Sequence, residues 1–124
     1  MKLRTEKAQY ELQLGQSEQA AKLFVSPLTS SEVNQIIQTH TKTSFHQGQK
    51  QEEINDLAIR LDRFCRTVSG WENILDANGN PIECNDANKR QVADHNFEFV
   101  NQVFQLTDEI HQDLESHHQR LKKN

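Results

Sequence analysis

The sequence predicts one domain of the α+β class, mainly α-helical with small β-hairpins. About four helices are expected, the longest at residues 50–69 and 95–118. Apolar residues recur at helical spacing between residues 54 and 68 and again between 97 and 110. A cluster rich in Asn and Gly at residues 76–80 separates two short apolar segments, as in a β-hairpin. A length of 124 residues suits a single domain.

Composition indicates a folded chain with a small core. Only 34% of the residues are hydrophobic, and the 14 Gln and 10 Asn are spread along the chain. Leu, Ile, Val and Phe still number 30, or about a quarter of the residues, which is above the level of roughly 20% at which disorder is expected. Residues 1–7 and 119–124 are charged and polar, and we expect them to be flexible.

Several functional classes are disfavoured by charge and hydropathy. No apolar run reaches the roughly 18 residues of a membrane span, and the first residues lack the apolar region of a secretory signal. A soluble protein of the cytoplasm is therefore expected, without a membrane partner. The net charge of -4 argues against binding to nucleic acid. Cys65 and Cys84 lack CxxC spacing, which favours free thiols.

The first half of the chain begins with two strand candidates. Residues 10–14 alternate apolar and polar side chains, and residues 23–25 form a short apolar run. They predict a hairpin, although the composition of this segment also suits a helix. Residues 29–32 (Thr-Ser-Ser-Glu) fit a capping box, which predicts a helix over residues 30–40. The polar residues 41–49 are expected to form a loop.

The strongest helical periodicity lies between Gln51 and Ser69. Charged residues such as Asp62 and Arg63 are expected on the outer face, and Gly70 is expected to end the helix. The apolar stripe of this helix comprises Ile54, Leu57, Ala58, Leu61, Phe64, Cys65 and Val68.

Beyond this helix the pattern changes to a hairpin. Residues 71–75 and 81–84 flank a turn in which Asn78 and Gly79 suit positive backbone φ angles. Trp71 is the only tryptophan, and it is expected to anchor the hairpin on the helices with its N–H on a backbone carbonyl.

Asn85 is a suitable N-cap for a helix over residues 87–93. In the last helix, Phe97, Val100 and Phe104 form one stripe beside a second apolar arc. Because the two together cover about half the circumference, the arc either contacts a partner or completes the core. Its residues, our candidate partner-binding set, are Phe99, Val103, Leu106 and Ile110.

One motif imitates a calcium site. Asp76, Asn78 and Asn80 stand at the first, third and fifth positions of an EF-hand loop. The sixth position, which requires Gly, is Pro81, and the twelfth, which requires an acid, is Ala87. The segment therefore predicts a hairpin turn rather than a metal site.

No residue pattern predicts catalysis, a cofactor or a bound metal. His111, Glu115 and His118 share a helix face, but no apolar residues are there to enclose a site. The sequence contains no GxSxG, Walker or GxGxxG motif. Cys65 lies on the apolar stripe of its helix, where a core role is expected.

Two segments carry a family resemblance. Residues 68–88 begin with the apolar Val68, followed by Gly70-Trp71, and continue with an acid-x-x-Gly turn at residues 76–79. A short apolar strand at residues 81–84 follows, and then Asn85, a polar cap that opens the next helix. Residues 24–32 add a strand followed by a capped helix. The chain resembles the tail assembly chaperones of long-tailed bacteriophages and prophages, from which its long, His-rich C-terminal helix departs.

The resemblance implies a non-catalytic function in tail morphogenesis. Such chaperones bind the tape measure protein, keep its hydrophobic helical stretches from aggregating, and give way when tail tube subunits polymerise around it. Many weak apolar contacts, multiplied by self-association, suit that task. A structural tail or virion component, such as a connector or completion protein, and a small regulatory binding protein are the alternatives.

Overall fold

The computed structural model describes residues 1, 3 and 5–122, with side chains as far as residue 112. The described chain has four helices and two small antiparallel sheets, which confirms the α+β class. The elements in chain order are β1 (Tyr10–Leu14), β2 (Ala21–Val25), α1 (Ser30–Thr39), β3 (Thr41–His46), β4 (Gln49–Ile54), α2 (Asp56–Thr67), β5 (Val68–Glu72), α3 (Asp86–His95) and α4 (Phe97–Lys122).

A three-stranded antiparallel sheet with the order β1-β2-β5 supports one side of the core. Leu12 lies opposite Leu23, and Leu23 lies opposite Trp71, so one row of apolar side chains crosses all three strands. The strand alternative for the first segment is confirmed. Gly15 occupies the β1–β2 connection with a φ of +109°, a conformation that glycine adopts without a Cβ penalty.

The core lies between this sheet and the helices. Phe64 of α2 is fully buried, and its ring meets those of Phe99 and Phe104 edge-on at centroid distances of 6.1 and 6.5 Å. Edge-to-face geometry stabilises aromatic pairs beyond the area they bury. The other members of the buried cluster are Leu12, Leu23, Val25, Val68, Trp71, Ala93, Val100 and Val103.

The helix predicted from Gln51 is shorter than expected. It begins after Asn55, whose side chain accepts from the Ala58 N–H at 3.1 Å, and it ends at Thr67. Ile54 belongs to β4 and Val68 to β5, so neither is on the helix. The apolar residues of the adjoining strands fell by chance into helical spacing, which lengthened the predicted element.

The expectation for Gly70 is also wrong. This residue lies inside β5 opposite Phe24 and does not end a helix. The outward placement of Asp62 is wrong as well, because Asp62 is buried and hydrogen-bonded to neighbouring side chains.

The loop expected at residues 41–49 is instead a β-ribbon formed by β3 and β4. Its two-residue turn has positive φ at Gln47 (51°) and Gly48 (79°), the signature of a type I′ hairpin. Thr41 is half-buried and every other residue of the two strands is exposed. Both faces are therefore open to solvent, and the alternation of apolar and polar residues that marks a half-buried strand is missing.

The hairpin expected at residues 71–84 is reduced to one bridge, between Leu75 and Pro81. Trp71 instead belongs to β5, which pairs with β2. Pairing with the three-stranded sheet stabilises this strand more than pairing in an isolated short hairpin would, because two-stranded hairpins are marginally stable in water.

Three helix predictions agree closely with the structure. The capping box of α1 is present, with Thr29 and Glu32 bonded in both directions at 3.2 and 3.1 Å. Helix α3 extends the predicted 87–93 at both ends. Helix α4 starts at Phe97, two residues later than predicted, because His95 still belongs to α3.

Candidate partner-binding surface

The four candidate contact residues on α4 lie against the core. Val103 is fully buried, with 0% of its surface exposed. Phe99, Leu106 and Ile110 are half-buried and pack on the same core cluster. Of the two alternatives for the apolar arc, this geometry corresponds to completion of the core, and Val103 offers no surface to a partner in this conformation.

The three residues predicted to have structural roles each have a local role, although Trp71 lies in β5 rather than in a hairpin. Trp71 is 9% exposed, and its indole N–H donates to the Ile82 carbonyl at 2.7 Å, as predicted for an anchor. Gly79 has a φ of +83° in the 76–80 turn. The side chain of Asn85 accepts from the Asn88 N–H at 2.8 Å and caps α3.

Two of the exposed large apolar side chains lie in the first turns of α2 and α4. Leu57 is 57% exposed and Phe97 is 63% exposed. Arg60 lies three residues after Leu57 on α2, on the same helix face. Its guanidinium stacks over the Phe97 ring at 4.1 Å and donates to the Phe97 carbonyl at 2.7 Å. We call Leu57, Arg60 and Phe97 the end patch.

The end patch is a mixed apolar and cationic surface. Burial, with the neighbouring Arg63, lowers the pKa of Arg60, yet an arginine stays protonated in proteins. The stacked guanidinium fixes the Phe97 ring while leaving most of it open to solvent. Such a surface can receive apolar side chains and can also pair with an acidic group.

Sequence reasoning missed the end patch because it placed Leu57 on the buried stripe. One signal was present: Asn55 followed by Asp56 is a favourable N-cap and first-turn pair. A helix starting there has Leu57 in its first turn, at the end of the element, where a neighbouring helix covers it less completely.

A polar cluster lies where α1 meets α2. The two carboxylate oxygens of Asp62 contact His40 Nε2 and Arg66 Nε, each at 3.0 Å. Burial acts to raise the pKa of Asp62, but the hydrogen bonds and charges of His40 and Arg66 outweigh it and hold the pKa below its usual value. Each carboxylate oxygen accepts one of these contacts, so the cluster joins the C-terminal end of α1 to α2.

Lys89 is a second buried polar residue that the sequence did not reveal. Its ammonium donates to the carbonyls of Cys65 and Val68 at 2.9 and 3.0 Å, and lies 3.5 Å from Asp86. The two carbonyls are at the end of α2, where backbone acceptors have no intrahelical donor. Lys89 thus caps α2 from α3, and only its spacing from Asp86 hinted at a paired role.

The two thiols are partly buried, and the Asp76 carboxylate is hydrogen-bonded within its own turn. Cys65 and Cys84 are free, as predicted, and burial raises the pKa of both thiols, so they are protonated at neutral pH. Asp76 accepts from the N–H groups of Asn78 and Asn80, each at 2.9 Å, which spends one carboxylate oxygen on the turn itself.

The histidine trio is described only in part. His111 Nδ1 lies 3.1 Å from the hydroxyl of Tyr10, and the side chains of Glu115 and His118 lie outside the described residues. Within the described part of the chain, no three His, Cys, Asp or Glu side chains come together in a group that could hold a metal ion.

Among residues 1, 3 and 5–122, no helix combines the length and the apolar character that a bilayer crossing requires. Comparisons of the chain with protein-family models, with curated proteins and with solved structures find no match.

Proposed function

We propose that this chain is a phage or prophage tail assembly chaperone that binds the tape measure protein in the host cytoplasm without catalysing a reaction. The resemblance at residues 68–88 and 24–32 is the observation that carries the proposal. The motif residues of these segments have structural roles: Trp71 anchors the turn, Gly79 allows it, and Asn85 caps the next helix. They maintain a fold, as expected for a carrier protein.

The end patch is the surface that we assign to the tape measure protein. Leu57 and Phe97 expose apolar area without any local rearrangement, whereas contact through Val103 would require the core to open. Burying an exposed side chain of this size contributes about 1.5 to 3 kcal/mol, before the cost of association is subtracted. A few such contacts suit a partner that must later be released.

The first test is co-expression with the tape measure protein encoded by the same phage or prophage. We expect the tape measure protein to stay soluble and to co-purify with this chain. The chaperone should be absent from finished tails, since it gives way to tail tube subunits. Its presence in purified particles would instead favour a structural tail component, and failure to retain the tape measure protein would refute the proposal.

A matched pair of variants locates the contact. The double variant Leu57→Ser with Phe97→Ser should reduce co-purified tape measure protein about tenfold, as expected for loss of two contact residues. Leu75→Ser is the control, because Leu75 is also exposed, at 54%, but lies on the 71–84 segment. Equal retention by the double variant and the control would exclude the end patch.

A further inference from the structure

The ribbon of β3 and β4 has two strands and no third strand beside it within the described structure. Eleven of its twelve strand residues are exposed, Thr41 being half-buried. Isolated two-stranded ribbons are marginally stable in water, and an exposed edge presents unpaired N–H and C=O groups to another chain. The ribbon is thus an element whose hydrogen bonding is incomplete in one copy of the chain.

The turn determines which backbone groups are free. His46 and Gln49 close the two-residue turn, and in such a hairpin they form a hydrogen-bonded pair. Bonded pairs then alternate along the ladder. The N–H and C=O groups of Lys50, Glu52 and Ile54 consequently point away from β3, toward the free edge of β4.

The charges on the β4 edge are complementary to themselves. An antiparallel pairing of two β4 strands centred on Gln51 sets Lys50 opposite Glu52 of the second copy, and Glu52 opposite Lys50 of the second copy. A register centred on Lys50 or on Glu52 would oppose like charges. The centred register also places the outward-pointing backbone groups of residues 50 and 52 in bonded pairs.

The β3 edge lacks this property. Its charged and titratable residues are Lys42 and His46, and it carries no acid. Two β3 strands could therefore form no ion pair across an antiparallel edge. Lys50 and Glu52 already form an ion pair at 3.2 Å within one copy, so a second copy would complete a square of alternating charges.

We propose that β4 pairs antiparallel with β4 of a second copy about a two-fold axis at Gln51, forming a four-stranded sheet. Phe45, 74% exposed, lies opposite Lys50 in the ribbon, so the sheet carries both Phe45 rings on one face. The interface is isologous and closes at two copies. It rests on the ribbon alone and is independent of the chaperone function.

Charge reversal combined with sedimentation velocity tests this interface. The wild-type chain should sediment at twice its 14.4 kDa mass over a concentration series. Lys50→Glu, and separately Glu52→Lys, should raise the dissociation constant at least tenfold, because both cross-strand pairs become repulsive. Lys42→Gln, on the other edge of the same ribbon, is the control and should sediment like the wild type.

Mixing the two single variants separates an effect between copies from damage within one ribbon. Each variant keeps like charges at residues 50 and 52 of its own chain, yet in the mixed dimer every cross-strand pair is opposite in sign. An equimolar mixture should recover the dimer mass. A monomeric wild type, single variants that dimerise like the wild type, or a mixture that stays monomeric would each overturn the proposal.

Discussion

At the scale of single residues, the carboxylate of Asp62 links folding to pH. Its two oxygens accept from His40 and Arg66, and these contacts hold its pKa below the ordinary 3.8. The unfolded chain therefore binds the proton more readily than the folded chain. The resulting stabilisation is present above the unfolded pKa and is lost as the pH falls through the folded pKa.

Asp62→Asn should destabilise the protein by about 1 to 3 kcal/mol at pH 7, because the side-chain nitrogen of Asn would face the N–H donor of either His40 or Arg66. Urea unfolding from pH 7 to pH 3 should show the difference from wild type shrinking below about pH 4. Asp94→Asn changes an exposed carboxylate of α3 and should have little effect at any pH. A constant difference over the whole range would contradict the assigned pKa direction.

Lys89 gives a second prediction at this scale. Lys89→Met keeps the length of the side chain but removes the donor to the carbonyls of Cys65 and Val68. The expected loss is about 2 kcal/mol in the free energy of unfolding, measured with urea at pH 7. Lys42→Met on the exposed ribbon serves as the control. If the two variants are equally stable, Lys89 does not cap α2.

At the scale of elements, the ribbon should respond to its turn without affecting the core. Gly48 has a φ of +79°, and a Cβ added there would meet no atom within 4 Å, so Gly48→Ala adds backbone strain and no clash. A cost of about 1 kcal/mol is expected. Amide hydrogen exchange should quicken in β3 and β4 and stay unchanged in β2. Faster exchange in both sheets would show that the ribbon and core unfold together.

The elements also show which sequence signals are sufficient for prediction. Caps are local, and those of α1 and α3 were predicted correctly from Thr29, Glu32 and Asn85. The helical spacing of apolar residues was a less reliable signal. It predicted that Ile54 belongs to α2, although Ile54 is the last residue of β4. The ribbon was missed because a strand exposed on both faces needs no apolar alternation.

At the scale of the whole molecule, a small core uses most of the available apolar residues. The sequence showed that α4 has a wide apolar arc but not which elements cover it, since contacts between distant segments leave no local pattern. Phe64 packs edge-on against Phe99 of the arc and against Phe104 of the neighbouring stripe. The exposed large apolar side chains include Leu57 and Phe97 at the starts of α2 and α4, Phe45 and Ile54 in the ribbon, and Leu75.

Because Val103 is buried and Leu57 is exposed, similar substitutions at the two positions should reduce the free energy of unfolding by different amounts. Val103→Ser should cost about 2 to 4 kcal/mol of stability, because it leaves a cavity and buries a hydroxyl. Leu57→Ser, at an exposed position, should cost under about 1 kcal/mol. Urea unfolding at pH 7 measures both. Equal losses would mean that Val103 is not part of the core.

Amide hydrogen exchange, measured on the chain alone and in complex with the tape measure protein, tests most directly whether the end patch is the contact surface. The first turns of α2 and α4 contain N–H groups without intrahelical partners, which exchange fast unless a ligand covers them. We expect slower exchange at Leu57 and Phe97 in the complex, with no change at Val103. No slowing at either helix start, or a complex that does not form, would contradict this expectation.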